Sequence, residues 1–181
     1  MKPELTKILL IFSVLFLAVL VVGCESTPKK TRPVENFYSS RYLGRWYEIA
    51  RFDFMFEKNM KNVTANYSMN DNGTLNVLNT GYDFKKQEWK EKNGKAKFAG
   101  RTDVGALKVS FFGPFYSAYT IIALDPDYNY ALVAGANKKL LWILSRTPTI
   151  PEDVKQDYLE IARKAGYNTS GLVWTIQENS Y

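Results

Sequence analysis

Few side chains in this sequence could carry out acid-base or metal chemistry. The chain of 181 residues has no histidine and a single cysteine, Cys24. A Ser-His-Asp or Cys-His pair would therefore lack its base, and one thiol can form neither a His/Cys metal cluster nor an internal disulfide. Proton transfer would have to rely on Asp, Glu, Tyr or Lys. We expect no metal and no cofactor.

The position of the single cysteine indicates lipid attachment. A charged start precedes an apolar run over residues 8–22, which is typical of a secretory signal and short for a membrane span. The run ends in Val21-Val22-Gly23-Cys24, which resembles the lipobox of bacterial lipoproteins. The resemblance implies cleavage before Cys24, acylation of that cysteine and, because Glu25 follows, sorting to the outer membrane. The alternative is an uncleaved anchor helix with an incidental cysteine.

Composition divides the chain into three parts. Residues 1–23 are the expected lipoprotein signal peptide. Residues 24–36 are rich in Ser, Thr, Pro and Lys, which favours a lipidated N-terminus followed by a flexible tether. Residues 37–181 are the expected barrel domain, which is enough chain for one core.

Short alternating segments from residue 42 onward predict an all-β fold. Val63, Ala65 and Tyr67 alternate with polar residues, and Asn72-Gly73 favours a hairpin turn. The charged segment 89–99 is expected to turn at Asn93-Gly94. Eight strands joined in chain order indicate an up-and-down antiparallel sheet, and closing it into a barrel removes its edges.

A helix and a ninth strand are expected after the barrel. Pro151 suits the first turn of a helix, and Gly166 suits the position just past its end. An apolar stripe would pack this helix on the outside of the sheet; it comprises Val154, Tyr158, Ile161, Ala162 and Ala165. Residues 172–176 are the expected ninth strand.

The order of these elements and three motifs resemble the lipocalin family, and within it the bacterial lipoprotein lipocalins that are similar to apolipoprotein D. The motifs are residues 42–51, with Gly44 and Trp46, residues 107–115, and residues 141–148, with Arg146. The resemblance covers about residues 37–176. It implies that Trp46 lies at the closed end of the barrel with Arg146 packed across it. The turn at residues 125–128 departs from the family pattern, so no role is assigned there.

The inner faces of the expected strands define a candidate ligand cavity. Small residues mixed with aromatic rings suit a slot for an acyl chain, whereas a filled core is the alternative. Strand parity places Trp142 on the same face as Arg146, four residues earlier and toward the open half. The alternative is that Trp142 points outward under the helix, beside Val154 and Tyr158, as part of the core. The expected ligand-binding residues are Glu48, Ala50, Phe52, Ala65, Tyr67, Val77, Val109, Phe111, Trp142 and Leu144.

Two charged features have competing interpretations. Glu48 is either a buried acid held by an Arg or Tyr partner, which costs less than an unpaired charge, or a contact for a ligand headgroup. The lysines of residues 85–97 alternate with Glu88 and Glu91, which favours a solvated strand face over a nucleic-acid site. We expect no nucleic-acid partner.

The sequence thus supports a lipocalin anchored to the outer membrane through Cys24, with the barrel in the periplasm. It would bind fatty acids or lysophospholipids and store or transport lipid in envelope maintenance, without covalent chemistry. The alternative is a barrel enzyme that acts on an apolar, lipid-like substrate through a Glu/Tyr acid-base pair, such as Glu48 with a neighbouring tyrosine. A weaker option is an envelope interaction protein whose barrel is only a scaffold. The sequence leaves a homodimer open.

Overall fold

The computed structural model describes residues 31–55 and 57–178, so the expected signal peptide and Cys24 lie outside the described residues. Helix α1, Ser39–Tyr42, precedes the sheet. Eight strands follow in chain order: β1 Gly44–Phe52, β2 Met60–Met69, β3 Leu75–Asp83, β4 Glu88–Phe98, β5 Ala106–Phe112, β6 Phe115–Leu124, β7 Tyr130–Gly135 and β8 Leu141–Ser145. Helix α2, Glu152–Lys164, a 3-10 turn at Thr169–Gly171 and strand β9, Leu172–Trp174, complete the chain.

The eight strands form a closed antiparallel barrel, as expected. Each strand pairs with the next in sequence, and β1 pairs with both β2 and β8, which closes the ring. Strand β9 pairs with the end of β1 outside the ring. Within the described part of the chain, neither helix has the length and apolar character needed to cross a membrane.

Apolar side chains form two separate clusters, one on each side of the sheet. The inner cluster lies inside the barrel and includes Trp46, Tyr67 and Val77. The outer cluster lies between the sheet and α2, where Tyr158 and Ala162 of the helix are buried against Ile143 of β8. The helix therefore packs outside the barrel, as its apolar stripe predicts.

The turn expected at Asn93-Gly94 is wrong, because β4 is continuous. Asn93 pairs with Leu78, and Gly94 pairs with Val77. A side chain at Gly94 would meet the ring of Phe111 at 2.6 Å, so this glycine permits close packing of β5. Pairing along the whole strand outweighs the local turn preference of the dipeptide.

The chain joins the barrel earlier than the tether boundary at residue 36 suggests. The Val34 amide donates to the Ile121 carbonyl at 2.9 Å, and the Gly105 amide donates to the Val34 carbonyl at 2.8 Å. Glu35 forms an isolated antiparallel bridge with Val104. Val34 and Glu35, the part of the expected tether that these contacts involve, are therefore bonded to the barrel.

A β-bulge interrupts β1 between Glu48 and Ala50. Before the bulge, Glu48 pairs with Leu144; after it, Ala50 pairs with Ile143. One extra residue on a strand exchanges the faces to which the following side chains point. The inner face of β1 consequently changes from the even-numbered residues to Arg51.

Trp46 and Arg146 seal one end of the barrel, in the geometry that the family resemblance implies. The Arg146 guanidinium lies 3.9 Å from the centroid of the Trp46 ring. It donates to the carbonyls of Arg41 and Arg45, each at 2.8 Å, and to that of Tyr128 at 3.2 Å. Gly44 has a φ of 87° and passes close to Arg146, a conformation that favours glycine.

Arg146→Lys should destabilise the fold. Lysine keeps the charge but loses the planar fork that reaches three carbonyls and the stacking on Trp46. We expect the free energy of unfolding to fall by about 1–3 kcal/mol, the sum of a cation–π contact and one or two hydrogen bonds. Urea unfolding measures this loss, and ligand titration of the folded variant should show a smaller change in affinity.

Arg45→Lys is the matched control, because Arg45 is an exposed arginine next to Trp46. It should unfold within about 0.5 kcal/mol of the wild-type protein, as exposed substitutions usually do. If Arg146→Lys weakened ligand affinity while leaving stability unchanged, the pair would belong to a ligand site instead.

Candidate ligand-binding site

The barrel encloses a cavity that opens at the end opposite Trp46 and Arg146. Its volume is about 600 Å³, within the roughly 300–1,000 Å³ usual for small-molecule sites. Its wall is mostly apolar, and its opening is lined by Met55 in the connection after β1, Phe115 at the start of β6 and Leu140 just before β8. The expected slot is therefore present, and the barrel is not filled by its own side chains.

Eight of the ten expected cavity residues line this space. They are Glu48, Ala65, Tyr67, Val77, Val109, Phe111, Trp142 and Leu144. Strand alternation was sufficient to find them because β2, β3, β5 and β8 expose alternate side chains to the interior there. Their contact with a ligand stays a prediction.

Ala50 and Phe52 lie outside the cavity, which corrects the positions expected for them. Ala50 is buried in the outer cluster. The Phe52 ring stacks on Tyr167, with centroids 6.2 Å apart and an interplanar angle of 22°. These positions were expected because regular alternation of side chains was assumed along the whole of β1. The bulge exchanges the two faces, and no residue type in the segment signals it.

Arg51 occupies the inner position that parity had given to its neighbours. Its Nη1 donates to Glu48 Oε1 at 2.6 Å and to Thr175 Oγ1 at 2.8 Å, and its Nη2 donates to the Glu57 carbonyl at 2.6 Å. Thr175 Oγ1 also donates to Glu48 Oε1 at 2.6 Å. Glu48 is thus a buried acid held by an arginine, as one of its two interpretations proposed.

Glu57 is a second carboxyl at this wall that sequence reasoning missed, and its side chain is 17% exposed. Its Oε2 lies 3.8 Å from Arg51 Nε and accepts a hydrogen bond of 3.2 Å from the Trp142 indole. Burial, with repulsion from Glu48 second, raises the pKa of Glu57 to about 8. Because one guanidinium faces two carboxyls, Glu57 holds its proton at neutral pH while Glu48 pairs with Arg51.

Burial also raises the pKa of Glu48, and the charge of Arg51 opposes that effect. The Arg51 Nε atom is buried and makes no hydrogen bond within the described structure. The wall beside Trp142 therefore combines a neutral carboxyl and an indole N–H, and the partly satisfied guanidinium of Arg51 lies behind them. Such groups can orient the polar end of a ligand whose chain lies in the apolar part of the cavity.

Three tyrosine hydroxyls form a chain deeper in the barrel. The Tyr119 hydroxyl is 2.8 Å from that of Tyr42 and 2.8 Å from that of Tyr67. Burial raises the pKa of Tyr67 to about 12 and raises those of Tyr42 and Tyr119 as well. These hydroxyls therefore stay neutral, and they bond to one another rather than to Glu48.

Comparison with known proteins gives consistent relatives. A family of lipocalin-like domains matches residues 38–177. The outer membrane lipoprotein Blc of Escherichia coli K12 is 51% identical over 165 residues, covering 90% of this chain and 93% of the relative. Blc of Vibrio cholerae is 44% identical, covering 89% of this chain and 95% of the relative. Mouse apolipoprotein D is more distant, at 33% identity over 86% of this chain and 83% of its own.

Solved structures show the same fold at lower identity. Insecticyanin from the tobacco hornworm Manduca sexta superimposes with a TM-score of 0.68 at 21% identity. The match covers 83% of this chain and 86% of the insecticyanin chain. At that identity the similarity concerns the barrel alone.

Glu57→Gln should remove a pH dependence of stability. The pKa of Glu57 rises from its ordinary value of 4.5 to about 8 on folding, so between these pH values the folded protein holds a proton that the unfolded chain has lost. The free energy of unfolding should therefore fall as pH rises through this window, by up to about 1.4 kcal/mol per pH unit. Glutamine keeps an acceptor for Trp142 but cannot ionise, so the variant should lose this slope.

Urea unfolding at pH values from 4.5 to 8.5 measures the effect. Glu91→Gln is the control, because it removes an exposed carboxylate that also lines the cavity; it should keep the wild-type slope. Equal slopes for Glu57→Gln and the wild-type protein would show that Glu57 is ionised across the whole range.

Proposed function

Because the chain belongs to the family of lipocalin-like domains, we propose that it binds fatty acids or lysophospholipids in the barrel cavity, for lipid storage or transport in envelope maintenance. One observation carries this proposal: an apolar cavity of about 600 Å³ opens at one end and has a polar wall beside Trp142. The shape suits one acyl chain, and the polar wall suits a headgroup.

Apolar burial would supply most of the affinity. Each methylene group moved from water into the cavity contributes about 0.8 kcal/mol before the costs of association. Val77, Val109 and Leu144 offer an apolar wall to such a chain. This contribution grows with chain length until the cavity is full, so affinity should depend more on the chain than on the headgroup.

Glu57 and Trp142 would orient the polar end. The protonated Glu57 carboxyl can donate a hydrogen bond to a carboxylate, ester or phosphate oxygen, and the buried Nε of Arg51 adds positive potential nearby. An ionised carboxylate at this position would repel the same oxygens. The raised pKa of Glu57 therefore supports an oxygen-rich, anionic or zwitterionic headgroup.

The chain is located in the bacterial outer membrane as a lipid-anchored protein, as the names of its bacterial relatives state for them. Cys24 is the proposed anchor, after cleavage that follows Gly23, with residues 1–23 as signal peptide. The barrel then lies in the periplasm. The barrel is attached to the chain from Val34 onward, which leaves a short linker between the anchor and the barrel.

The enzyme alternative loses its proposed pair in this geometry. Glu48 bonds to Arg51 and Thr175, and the cavity tyrosines bond to one another. A tyrosine whose pKa is raised to about 12, as for Tyr67, is also a poor general base at neutral pH. Incubating the protein with lysophospholipids and testing for hydrolysis products distinguishes turnover from binding.

Trp142→Phe should remove most of the fluorescence response to a ligand. The protein has 4 tryptophans, and among them Trp142 lines the cavity. Adding lysophospholipid to delipidated, refolded protein should change the tryptophan emission. Phenylalanine keeps the apolar surface but loses the indole, so the variant should bind with only a few-fold lower affinity and give little signal. Native mass spectrometry counts the bound ligand independently.

Trp89→Phe is the matched control, because Trp89 is exposed on β4 and does not line the cavity. It should keep the wild-type response. A full response in Trp142→Phe would place the ligand elsewhere, and no bound ligand in the wild-type protein would contradict the proposed function itself.

Cys24→Ser should abolish processing and acylation. Serine cannot form the thioether that holds the lipid, so the variant should accumulate as an uncleaved or soluble precursor. Membrane fractionation with a mass measurement of the N-terminus tests this. A processed Cys24→Ser protein that still fractionates with the outer membrane would contradict the lipobox interpretation.

A further inference from the structure

Large apolar side chains are exposed around the opening of the cavity. Met55 is 75% exposed, Phe84 is 48% exposed and Phe115 is 78% exposed. Met55 and Phe84 lie in the connections after β1 and β3, and Phe115 is the first residue of β6. These positions meet at one end of the barrel, because Met60 pairs with Asp83, the Phe84 amide donates to the Asn59 carbonyl, and Met55 and Phe115 both line the cavity. We call Met55, Phe84 and Phe115 the open rim.

A soluble surface normally scatters single apolar residues, whereas a contiguous set indicates a contact with something apolar. Met55 and Phe115 line the cavity at its opening, so a ligand enters past these two side chains, and Phe84 lies in the neighbouring connection at the same end of the barrel. The closed end is different, because Trp46 and Tyr42 are buried there. Exposed apolar side chains such as Tyr38 and Met69 also occur elsewhere on the surface, but those of the open rim lie together at the entrance to the cavity.

Lysines accompany the exposed apolar side chains. Lys85 and Lys86 follow Phe84 directly and are exposed. Lys92 lies with its Nζ atom 4.1 Å from the centroid of the Phe112 ring, beside Phe115 at the opening. A lysine whose stem covers apolar surface while its ammonium stays in water suits the boundary between acyl chains and phosphate groups. Glu88 and Glu91 are also exposed nearby, but Lys85, Lys86 and Lys92 leave this surface with an excess of positive charge. The excess favours an anionic lipid surface over a second copy of the chain, because two such positive surfaces would repel each other.

The N-terminal segment joins the barrel at the opposite end. Val34 bonds to Gly105, in the connection between β4 and β5, and to Ile121, in the second half of β6. Nine residues lie between Cys24 and Val34, so the two are ten positions apart along the chain. A flexible chain of that length has a root-mean-square span of about 16–19 Å, whereas a tilted strand of 11 residues such as β4 spans about 26 Å of barrel height.

Acylation at Cys24 would therefore hold the closed end near the membrane that carries the anchor and direct the opening away from that membrane. We propose that the open rim docks onto an anionic phospholipid bilayer other than the one that holds the Cys24 anchor. This inference rests on the proposed anchoring at Cys24. Docking buries Met55, Phe84 and Phe115 among the lipid headgroups and places the cavity opening against the bilayer, where a lipid passes between membrane and cavity without crossing water.

Vesicle capture tests the docking. Mature acylated protein is reconstituted into phosphatidylcholine vesicles, and fluorescent, protein-free acceptor vesicles contain either phosphatidylcholine alone or added phosphatidylglycerol. The wild-type protein should capture the anionic acceptors, as measured by co-flotation.

The variant Met55→Ser/Phe84→Ser/Phe115→Ser should reduce capture about tenfold or more, because it removes the apolar contact. Lys85→Glu with Lys86→Glu should reduce it by at least about fivefold.

The control Tyr38→Ser/Met69→Ser/Ile176→Ser removes three exposed apolar side chains from other surfaces and should capture vesicles as the wild-type protein does. Equal loss in both triple variants, or equal capture of neutral and anionic acceptors, would overturn the proposal. If acceptor vesicles were captured only when they also carried the protein, the open rim would be assigned to a second copy of the chain instead.

Lysophospholipid titration of the wild-type protein separates this proposal from the proposed function. A protein that binds lysophospholipid but captures no vesicles contradicts the docking alone. A protein that captures anionic vesicles but binds no lysophospholipid contradicts the cavity function and leaves the docking supported.

Discussion

The β-bulge in β1 is the local feature on which both the cavity and the helix packing depend. Trp46 and Glu48 point inward before it, and Arg51 points inward after it, while Ala50 and Phe52 face the helix side. Without the extra residue, Arg51 would lie in the apolar layer under α2, and Glu48 would be buried without its cation. Either placement costs several kcal/mol, because a buried charge needs a partner. The bulge thus brings Arg51 to the same side of the sheet as Glu48, so that the two charges pair. It also leaves both apolar clusters free of charged side chains from this part of β1.

The charge balance of the cavity wall follows from that placement. One guanidinium faces Glu48 and Glu57, and a second ionised carboxylate there would carry a net negative charge in a low-dielectric wall. Burial, with repulsion from Glu48 second, raises the pKa of Glu57 to about 8, and burial also raises the pKa of Glu48, although the charge of Arg51 opposes that effect. Protonating Glu57 removes the second charge and leaves the contact between Glu48 and Arg51 in place. The cavity consequently presents a hydrogen-bond donor where two acidic side chains would suggest repulsion of anionic headgroups. Sequence composition alone would give the opposite polarity.

Much of this arrangement follows from local pattern, and the exceptions have physical reasons. Period-two alternation predicts the barrel and places eight cavity residues, including Tyr67 and Trp142, because those strands are regular. The turn at Asn93-Gly94 was wrong because a dipeptide preference of this kind is weaker than the pairing of a whole strand. Ala50 and Phe52 were misplaced because a bulge changes parity without a residue signature. Glu57 was missed because it lies in a connection, where periodicity carries no information about burial.

The two ends of the barrel divide stability and function between them. At the closed end, Arg146 joins Trp46 to three backbone carbonyls, and the segment from Val34 adds hydrogen bonds to β6 and the connection before β5. These contacts involve residues far apart in sequence, so they hold the ring closed without help from the opposite end. The open end can then leave Met55 and Phe115 exposed and the cavity unfilled. Filling the cavity with larger side chains would add packing energy but remove the space for an acyl chain, so the fold places its stabilising contacts where no ligand enters.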